Sequence, residues 1–570
     1  MKTMKTFRPG VAFDDMPAWH GRHGEYGQHE QQKRRTDLLD LTMAILTGMA
    51  AFMLTTGGKL LRPRYIDWLW EQDPATFFLG WHFFRNTPLL QWPLGANPAY
   101  GTDIGSSVVF SDSIPLLALL FKPFAGMLPA TFQYLGLWIL LCFVLQAVFA
   151  SLLLARFTND RWLRALGSAF FACAPIFLWR LYGHYAMCGQ WILVAGLCLY
   201  FSPRHGYGRW ILLLAVASLV HAYLLVLAGA IWAADILQRI LKKELGPIRA
   251  AFFMAGTFVI VLLVMWAAGY FMVAGEGLKG SATILYRMNL LSVFDPEELW
   301  SHLLPDLPQT DGDYEGFAFP GLGMLLLTPV ALFLYLRGPR GNTALRSVLP
   351  LLLVSIALIV YAASNQVALG TREWFAYPLP PVLESIAATF RATGRMVWPA
   401  VYVLYLAVLV MVFTRLSRRR AVLLCTSLLC LQLADSTDAF RFFRHKFSRP
   451  PAQMVELQSP LWKQFATRYR HVVFVLPYNA PKGYVPLAFY AGSNGMTINI
   501  GYFARISAEK QAQARHQVEA AIRSDKLDPA TLYVFENDEL WQVALSHGDS
   551  ADYAGTVDGY RVFAPELTRR

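Results

Sequence analysis

Charge is what the chain has least of, and the familiar marks of a soluble nucleotide-using enzyme are missing with it. Charged residues make up 15% of the 570 positions, too few for a soluble protein of this length. There is no phosphate-cradling G-x-x-x-x-G-K, no dinucleotide fingerprint, no H-E-x-x-H and no nucleophile elbow, so ATP-driven transport and metalloproteolysis lose their usual signatures. The first 36 residues are polar, carry His20, His23 and His29, and lack the basic, apolar and cleavage-site layout of a secretory signal; they read as a loose cytoplasmic tail. Cysteine is scarce and confined: Cys142, Cys173, Cys188, Cys198, Cys425 and Cys430 all lie in or beside apolar segments, as small core residues rather than a disulfide framework. No internal repeat or low-complexity tract is present.

What remains is apolar. Hydrophobic residues reach 55% and the mean hydropathy is +0.37, the composition of a polytopic membrane protein. The net charge of +12 is spread in short Lys/Arg clusters beside apolar runs, which writes topology rather than a nucleic-acid surface. Apolar runs lie near Leu38–Thr56, Phe132–Leu154, Leu163–Trp179, Trp191–Phe201, Trp210–Leu237, Ala250–Val273, Gly321–Leu336, Val348–Ala363, Met396–Phe413 and Ala421–Ala434. Basic clusters mark alternate connections at Arg156/Arg161/Arg164, Arg204/Arg209, Arg239/Lys242/Lys243/Arg249, Arg337/Arg340/Arg346 and Arg415/Arg418/Arg419/Arg420, and these face the cytoplasm. Trp210–Leu237 has basic flanks on both sides. As one helix it would be about 42 Å long and would put every later cluster outside, so it is split near His221 into two short helices that meet at the outer side.

The expected architecture is therefore a membrane all-α fold of about eleven transmembrane helices, with the N-terminus inside and the C-terminus outside. It divides into a tail (1–36), a transmembrane domain (37–439) with a large outer loop (57–131), and a soluble domain (440–570). The runs HVVFVLP, TLYVFEN and YRVFA read as strands, and SAEKQAQARHQVEAAIRS as a helix opening at a serine cap, so the last domain is α/β or α+β.

Polar chemistry that topology does not explain gathers in three outer segments, 57–131, 275–320 and 364–395. In the first, Asp73, Asp112 and Asp103 are candidates for a catalytic base at a membrane lip, although Asp73-Pro74 and Asp112-Ser113 also look like helix caps. His82 and Arg85 are three apart and read first as interfacial anchors. Trp81 belongs to an aromatic set expected at headgroup level, and Trp81 and Tyr100 join the candidate pocket lining. In the last segment, Arg391 and Arg395 are four apart and would share a helical face able to chelate a phosphate, against the alternative of snorkelling to headgroups. Arg287 is a further outer cation. Asp311 and Asp313 form a D-x-D beside Tyr314 and Glu315, a pattern open to a divalent metal, but a glycine-rich acidic turn is the preferred reading. No other cofactor is implied. His184 and His221 stand at outer ends of paired spans, where they either line a cavity or pack.

The runs GWHFFRNTPLLQWPLG, SSVVFSDSIPLLA, GDYEGF and FRATGRMVWP are similar to those of a bacterial inner-membrane family associated with the GT-C class of integral-membrane glycosyltransferases. The order of elements resembles that class over about residues 37–570. The resemblance implies a polyprenyl-phosphate-linked sugar as donor, a glycan or glycolipid of the cell envelope as acceptor, and chemistry on the periplasmic side of the inner membrane. It places the base among Asp73, Asp103 and Asp112, and a phosphate clamp at Arg391 and Arg395 with Arg287 as a third cation. The chain departs from the pattern in one respect: no acidic residue abuts the first span, Asp67 being the nearest. Two other function classes stand beside this one: a lipid-linked glycan transporter, disfavoured by spans nearly free of ionisable residues, and an envelope-assembly scaffold acting through its tail.

Overall fold

The computed structural model describes residues 23–104, 107–203, 206–273, 286–338, 342–380, 384, 389–449 and 457–568. Residues 1–22 of the expected tail lie outside them, and the first helix, His23–Thr56, begins well before its apolar part. Among the described residues, five helices are long and apolar enough to cross a membrane: Asp37–Thr56, Leu135–Leu154, Ala222–Leu241, Pro247–Ala268 and Thr393–Arg415. Two bent pairs, Arg161–Ala172 with Pro175–Tyr182 (42°) and Arg418–Asp435 with Thr437–Ser448 (53°), raise the number to seven if each is one span. Other apolar helices, among them Tyr207–Val220 and Leu322–Arg337, have 10–17 residues, and Val348–Ala363 is the apolar part of the 22-residue helix Asn342–Ala363. Seventeen residues rise only about 26 Å against a hydrocarbon core of about 30 Å, so among the described residues five to seven helices qualify as crossings by length and composition, against the expected eleven.

The apolar stretch 210–237 does break at His221. That residue is extended (φ −166°, ψ 140°), ends the helix Tyr207–Val220 and caps the next one, Ala222–Leu241, its Nδ1 accepting the Tyr223 N–H at 3.2 Å. Helix Pro247–Ala268 lies on the outside, largely unburied. The inner helices share one core with residues of the first loop, including Trp138, Phe177, Trp210, Tyr402 and Tyr405 together with Phe77 and Trp81.

The first loop is itself folded. It carries the helix Gln72–Phe84 and, after an irregular stretch, Pro115–Phe121. A small antiparallel hairpin joins β1 (Gln366–Leu369) to β2 (Arg372–Ala376) in the late outer segment. The C-terminal unit is α/β. Strands β3 (His471–Phe474), β4 (Thr497–Ile498), β5 (Thr531–Phe535), β6 (Tyr553–Val557) and β7 (Tyr560–Ala564) form one sheet in the order β4-β3-β5-β7-β6. β3 is parallel to β4 and β5, whereas β7 is antiparallel to β5 and β6. Its helix Ala508–Arg523 opens at Ser507, whose hydroxyl accepts the Lys510 N–H at 3.3 Å.

This unit differs from the expected detached domain in two ways. Residues 440–448 belong to the helix Thr437–Ser448, which packs against the membrane body: Phe447 meets Trp68 edge-on at 5.3 Å and the Arg444 Nε donates to the Leu54 carbonyl at 2.7 Å. The sheet unit also has no wholly separate core. Leu79, Phe83, Tyr100, Ile104 and Phe110 of the first loop are buried in one cluster with Trp462, Val472, Leu487, Ile498 and Phe503. The apolar residues of both partners leave water together, so the first loop is sandwiched between membrane helices and sheet.

Candidate active site

Beneath that sandwich lies a cavity of about 1160 Å³. Its walls include seven distant parts of the chain: the start of helix Gln72–Phe84, the turn before Pro115, the segment 179–187, the break at His221, the turns at Tyr314–Glu315 and Thr389–Arg395, and residues Tyr502, Ala504 and Arg505 of the C-terminal unit.

Asp73 sits in the first turn of its helix and makes no cap, and Asp112 does not cap either; Ile114 holds the N-cap position before Pro115. Asp112 and Ile114 both adopt left-handed backbone (φ 50° and 51°), strained for a β-branched residue at about 1–3 kcal/mol. The turn is held by the Ser113 hydroxyl, which donates to the Phe77 carbonyl at 2.9 Å, by a Ser111–Ser113 hydroxyl contact at 2.9 Å, and by the Tyr134 hydroxyl on the Ser113 carbonyl. Gly80 allows the approach: a Cβ there would stand 2.1 Å from the Ser111 Oγ. Helix and turn are thereby locked face to face, and both carboxylates look into the cavity.

Opposite them is a charge cluster centred on Glu315, 3% exposed. Arg395 grips it with Nε at 2.9 Å and Nη2 at 2.6 Å, and Arg180 adds Nη1 at 2.7 Å. The contact depends on glycine, since a Cβ on Gly394 would stand 2.5 Å from the Gly316 Cα. Burial alone would raise the Glu315 carboxyl, but Arg395 and then Arg180 hold it well below the usual carboxylate range. His184 bridges to the other wall, its Nε2 3.4 Å from Asp73 Oδ2 and 3.6 Å from Glu315 Oε1. Burial lowers the His184 ring to about 3 against the pull of Glu315, so it is neutral near pH 7.

His221 stands 3.7 Å from Asp112 through Nε2. Burial lowers it to about 3. Because Nδ1 accepts the Tyr223 N–H, the single proton of the neutral ring is on Nε2, facing Asp112. The Asp112 carboxyl is pushed up to about 7, by burial first and then by the charge of Asp73, with Arg395 and Arg505 pulling the other way. Asp73 is raised too, mainly by burial, while Arg395 and a hydrogen bond from Tyr502 oppose the shift. One wall thus carries two carboxylates poised to take protons and the other a fully ionised carboxylate tied to arginines. Such a pair of environments separates base from structural ion.

The structure brings Asp73, Asp112, His184, His221, Tyr314, Glu315, Arg391 and Arg395 together on this cavity. Arg391 and Arg395 do not share an α-helical face, because Arg391 precedes the 3-10 turn Thr393–Val397 that holds Arg395. The other candidates lie elsewhere. Asp103 lines a separate hollow of about 260 Å³ with Thr102, Lys510, Gln513 and Gln517. Arg287 is buried against Asp313 (3.3 Å), Glu373 (3.2 Å) and the Gln366 carbonyl (2.5 Å), tying the β1–β2 hairpin to the middle loop. Asp313 also accepts from Asn289 and Thr310, at 2.9 and 2.7 Å, so this carboxylate of the D-x-D is engaged within the protein. His82 stacks on Phe78 and bonds Ser493 at 3.1 Å, and burial lowers it to about 4. Arg85 donates to the carbonyls of Ala125, Leu128, Pro129 and Ala130. The Trp81 Nε1 donates to the Phe132 carbonyl at 3.0 Å, and Tyr100 is buried on Phe83. These are packing and capping roles.

Sequence reasoning missed Arg180, Glu297, Tyr502 and Arg505 on the cavity wall. Arg180 alone had a signal, as an ionisable residue directly after the apolar run Leu163–Trp179.

A family profile described as "Domain of unknown function (DUF6311)" matches residues 45–437, and one described as "DUF6311 C-terminal domain" matches residues 461–565. The chain belongs to the DUF6311 family. The second match begins beyond the helix Thr437–Ser448, in keeping with the boundary seen in this DUF6311 fold. No curated protein matches the chain. Among solved structures, the DUF6311 chain is similar to ArnT from Cupriavidus metallidurans in the apo state, at 11% identity and TM-score 0.44 over 92% of this chain and 97% of that one. The same enzyme bound to undecaprenyl phosphate gives 11% and 0.41 over the same shares. The apo oligosaccharyltransferase of Archaeoglobus fulgidus gives 12% and 0.42 over 92% of this chain and 74% of that one. Overlaps this loose assign no residue a role.

Proposed function

We propose that this protein is a GT-C-type glycosyltransferase that moves a sugar from a polyprenyl-phosphate donor to a glycan or glycolipid of the cell envelope, on the periplasmic side of the inner membrane. The observation that carries the reading is the single cavity in which Asp73 and Asp112 face Arg391 and Arg395. Asp112 is the acceptor's general base: a carboxyl with a pKa of about 7 combines available ionised form with real proton affinity at working pH. It takes the proton of an acceptor hydroxyl as that oxygen attacks the anomeric carbon. The bond from that carbon to the phosphate oxygen breaks on the opposite face, with inversion, and the electron pair leaves with the phosphate. Cationic side chains opposite stabilise the departing charge. Asp73, hydrogen-bonded by Tyr502 and close to His184, orients the acceptor. Glu315 is unsuited to proton transfer because two arginines hold it ionised.

The test is transfer of hexose from a polyprenyl-phosphate hexose in membranes carrying D112N or D73N. D112N is expected to reduce transfer by at least about a hundredfold, and D73N by less. Full activity in both variants would remove the proposed base.

A further inference from the structure

Arg395 spends Nε and Nη2 on Glu315 at 2.9 and 2.6 Å, which leaves fewer of its five N–H donors for a ligand. Two other arginines reach the same cavity. Arg391 lies over the Tyr286 ring at 5.8 Å and has no carboxylate partner among the described residues. Arg505 is carried by a C-terminal segment that hydrogen-bonds to the first loop through an isolated parallel bridge between Tyr100 and Ile498. Ile498 N–H donates to the Ala99 carbonyl at 3.0 Å, its own carbonyl accepts from Gly101 and Thr102, and Ala504 N–H donates to the Phe110 carbonyl at 2.8 Å. From there the Arg505 Nη2 reaches the Thr389 carbonyl at 3.2 Å, two residues before Arg391. Burial and then the nearby charge of Arg391 press the Arg505 guanidinium below its ordinary value. Two like charges on one partly desolvated wall repel, an effect that Tyr223 and Asp112 oppose at Arg505, and an anion accepting charge-assisted hydrogen bonds from both adds to that relief.

We infer that Arg391 and Arg505 together form the phosphate subsite for the carrier lipid, so that the C-terminal unit supplies half of the donor clamp. This rests on the glycosyltransferase reading and extends it: donor binding is possible only while the sheet unit is docked on the first loop. Arg395 is then a positioning residue, fixed by Glu315.

The experiment uses the full chain in detergent micelles, titrated with geranylgeranyl phosphate and with geranylgeraniol. The wild-type protein is expected to prefer the phosphate. R505Q and R391Q should each weaken geranylgeranyl phosphate binding about tenfold or more and leave geranylgeraniol binding unchanged, and R505K should restore part of the loss. Excess phosphatidylglycerol should not compete; full competition would overturn the assignment to a carrier phosphate. Should R505Q fail to give a folded, monodisperse protein, R391Q and R505K carry the same comparison. Wild-type affinity in both glutamine variants overturns the inference and leaves the proposed reaction standing if D112N still abolishes transfer. Loss of phosphate binding in R505Q with full transfer by D112N and D73N would instead remove the proposed base and keep this subsite. A wild-type protein with no preference for phosphate over alcohol overturns both.

Discussion

Asp112 and Glu315 face the same cavity and titrate in opposite directions, which gives them opposite expected phenotypes. The Asp112 carboxyl is raised to about 7, well above its unfolded value near 3.9. A group with a raised folded pKa favours folding in its protonated form, so its contribution is lost as pH rises through about 7. The ionised form that accepts a proton accumulates over the same interval. Transfer is therefore expected to climb between pH 6 and pH 8 (about one unit either side of that value) while thermal stability falls. D112N should abolish the first trend and flatten the second, as read by transfer assays and melting curves across pH. A rise in activity that survives in D112N would assign the titration to another group.

Glu315 is the reverse case. Held ionised by Arg395 and Arg180 at 2.6–2.9 Å, it is part of a buried ion cluster in which removing one partner strands the others. E315A is expected to destabilise the protein by about 3–5 kcal/mol, measured by denaturant unfolding in micelles. E315Q keeps the shape but loses the charge that fixes Arg395. A small effect of E315A would show that water already solvates the two guanidinium groups.

At the scale of elements, the cavity depends on how closely its walls approach. The helix Gln72–Phe84 touches the Asp112 turn through Gly80, where a Cβ would stand 2.1 and 2.2 Å from the Ser111 and Ser113 hydroxyl oxygens. G80A must push helix and turn apart by roughly an ångström, a displacement able to cost about a hundredfold in rate. The expected outcome is a folded protein with transfer strongly reduced and donor affinity little changed; normal turnover would mean that the spacing of Asp73 and Asp112 is not critical. Much at this scale was legible in the sequence. Charge alternation located the break at His221, and short β-branched and aromatic runs gave β3, β5 and β7 of the C-terminal sheet. Span counts were less legible, because an apolar run of fewer than 18 residues reads alike whether it crosses or lines a cavity. At single residues the limit was sharper. His82, Arg85 and Tyr100 share the composition of a binding loop, and only the folded chain shows them spent on Ser493, four backbone carbonyls and Phe83. Nothing local could join Tyr502 to Asp73, far apart in the chain, because that hydrogen bond is created by docking of the sheet unit.

For the whole molecule, the sequence divided naturally into a membrane part and an appended domain, yet the folded chain has a shared core across that division. Tyr100 is its midpoint, fully buried, stacked on Phe83 at 5.0 Å and tilted against Phe503 at 4.9 Å. Its neighbour Gly101, in left-handed backbone at φ 73°, comes so close that a Cβ would stand 2.6 Å from the Phe503 ring. Truncating an aromatic side chain in such a core costs about 3–5 kcal/mol, and here the loss falls on the seam between the two parts. Y100A is therefore expected to lower thermal stability and transfer together, although the residue does not itself line the cavity. Hydrogen exchange should show helix Gln72–Phe84 and strands β3 and β5 losing protection in parallel, because elements that bury one apolar surface open as one unit. Loss confined to the sheet, with transfer intact, would mean that the C-terminal unit folds and detaches independently of the site it covers.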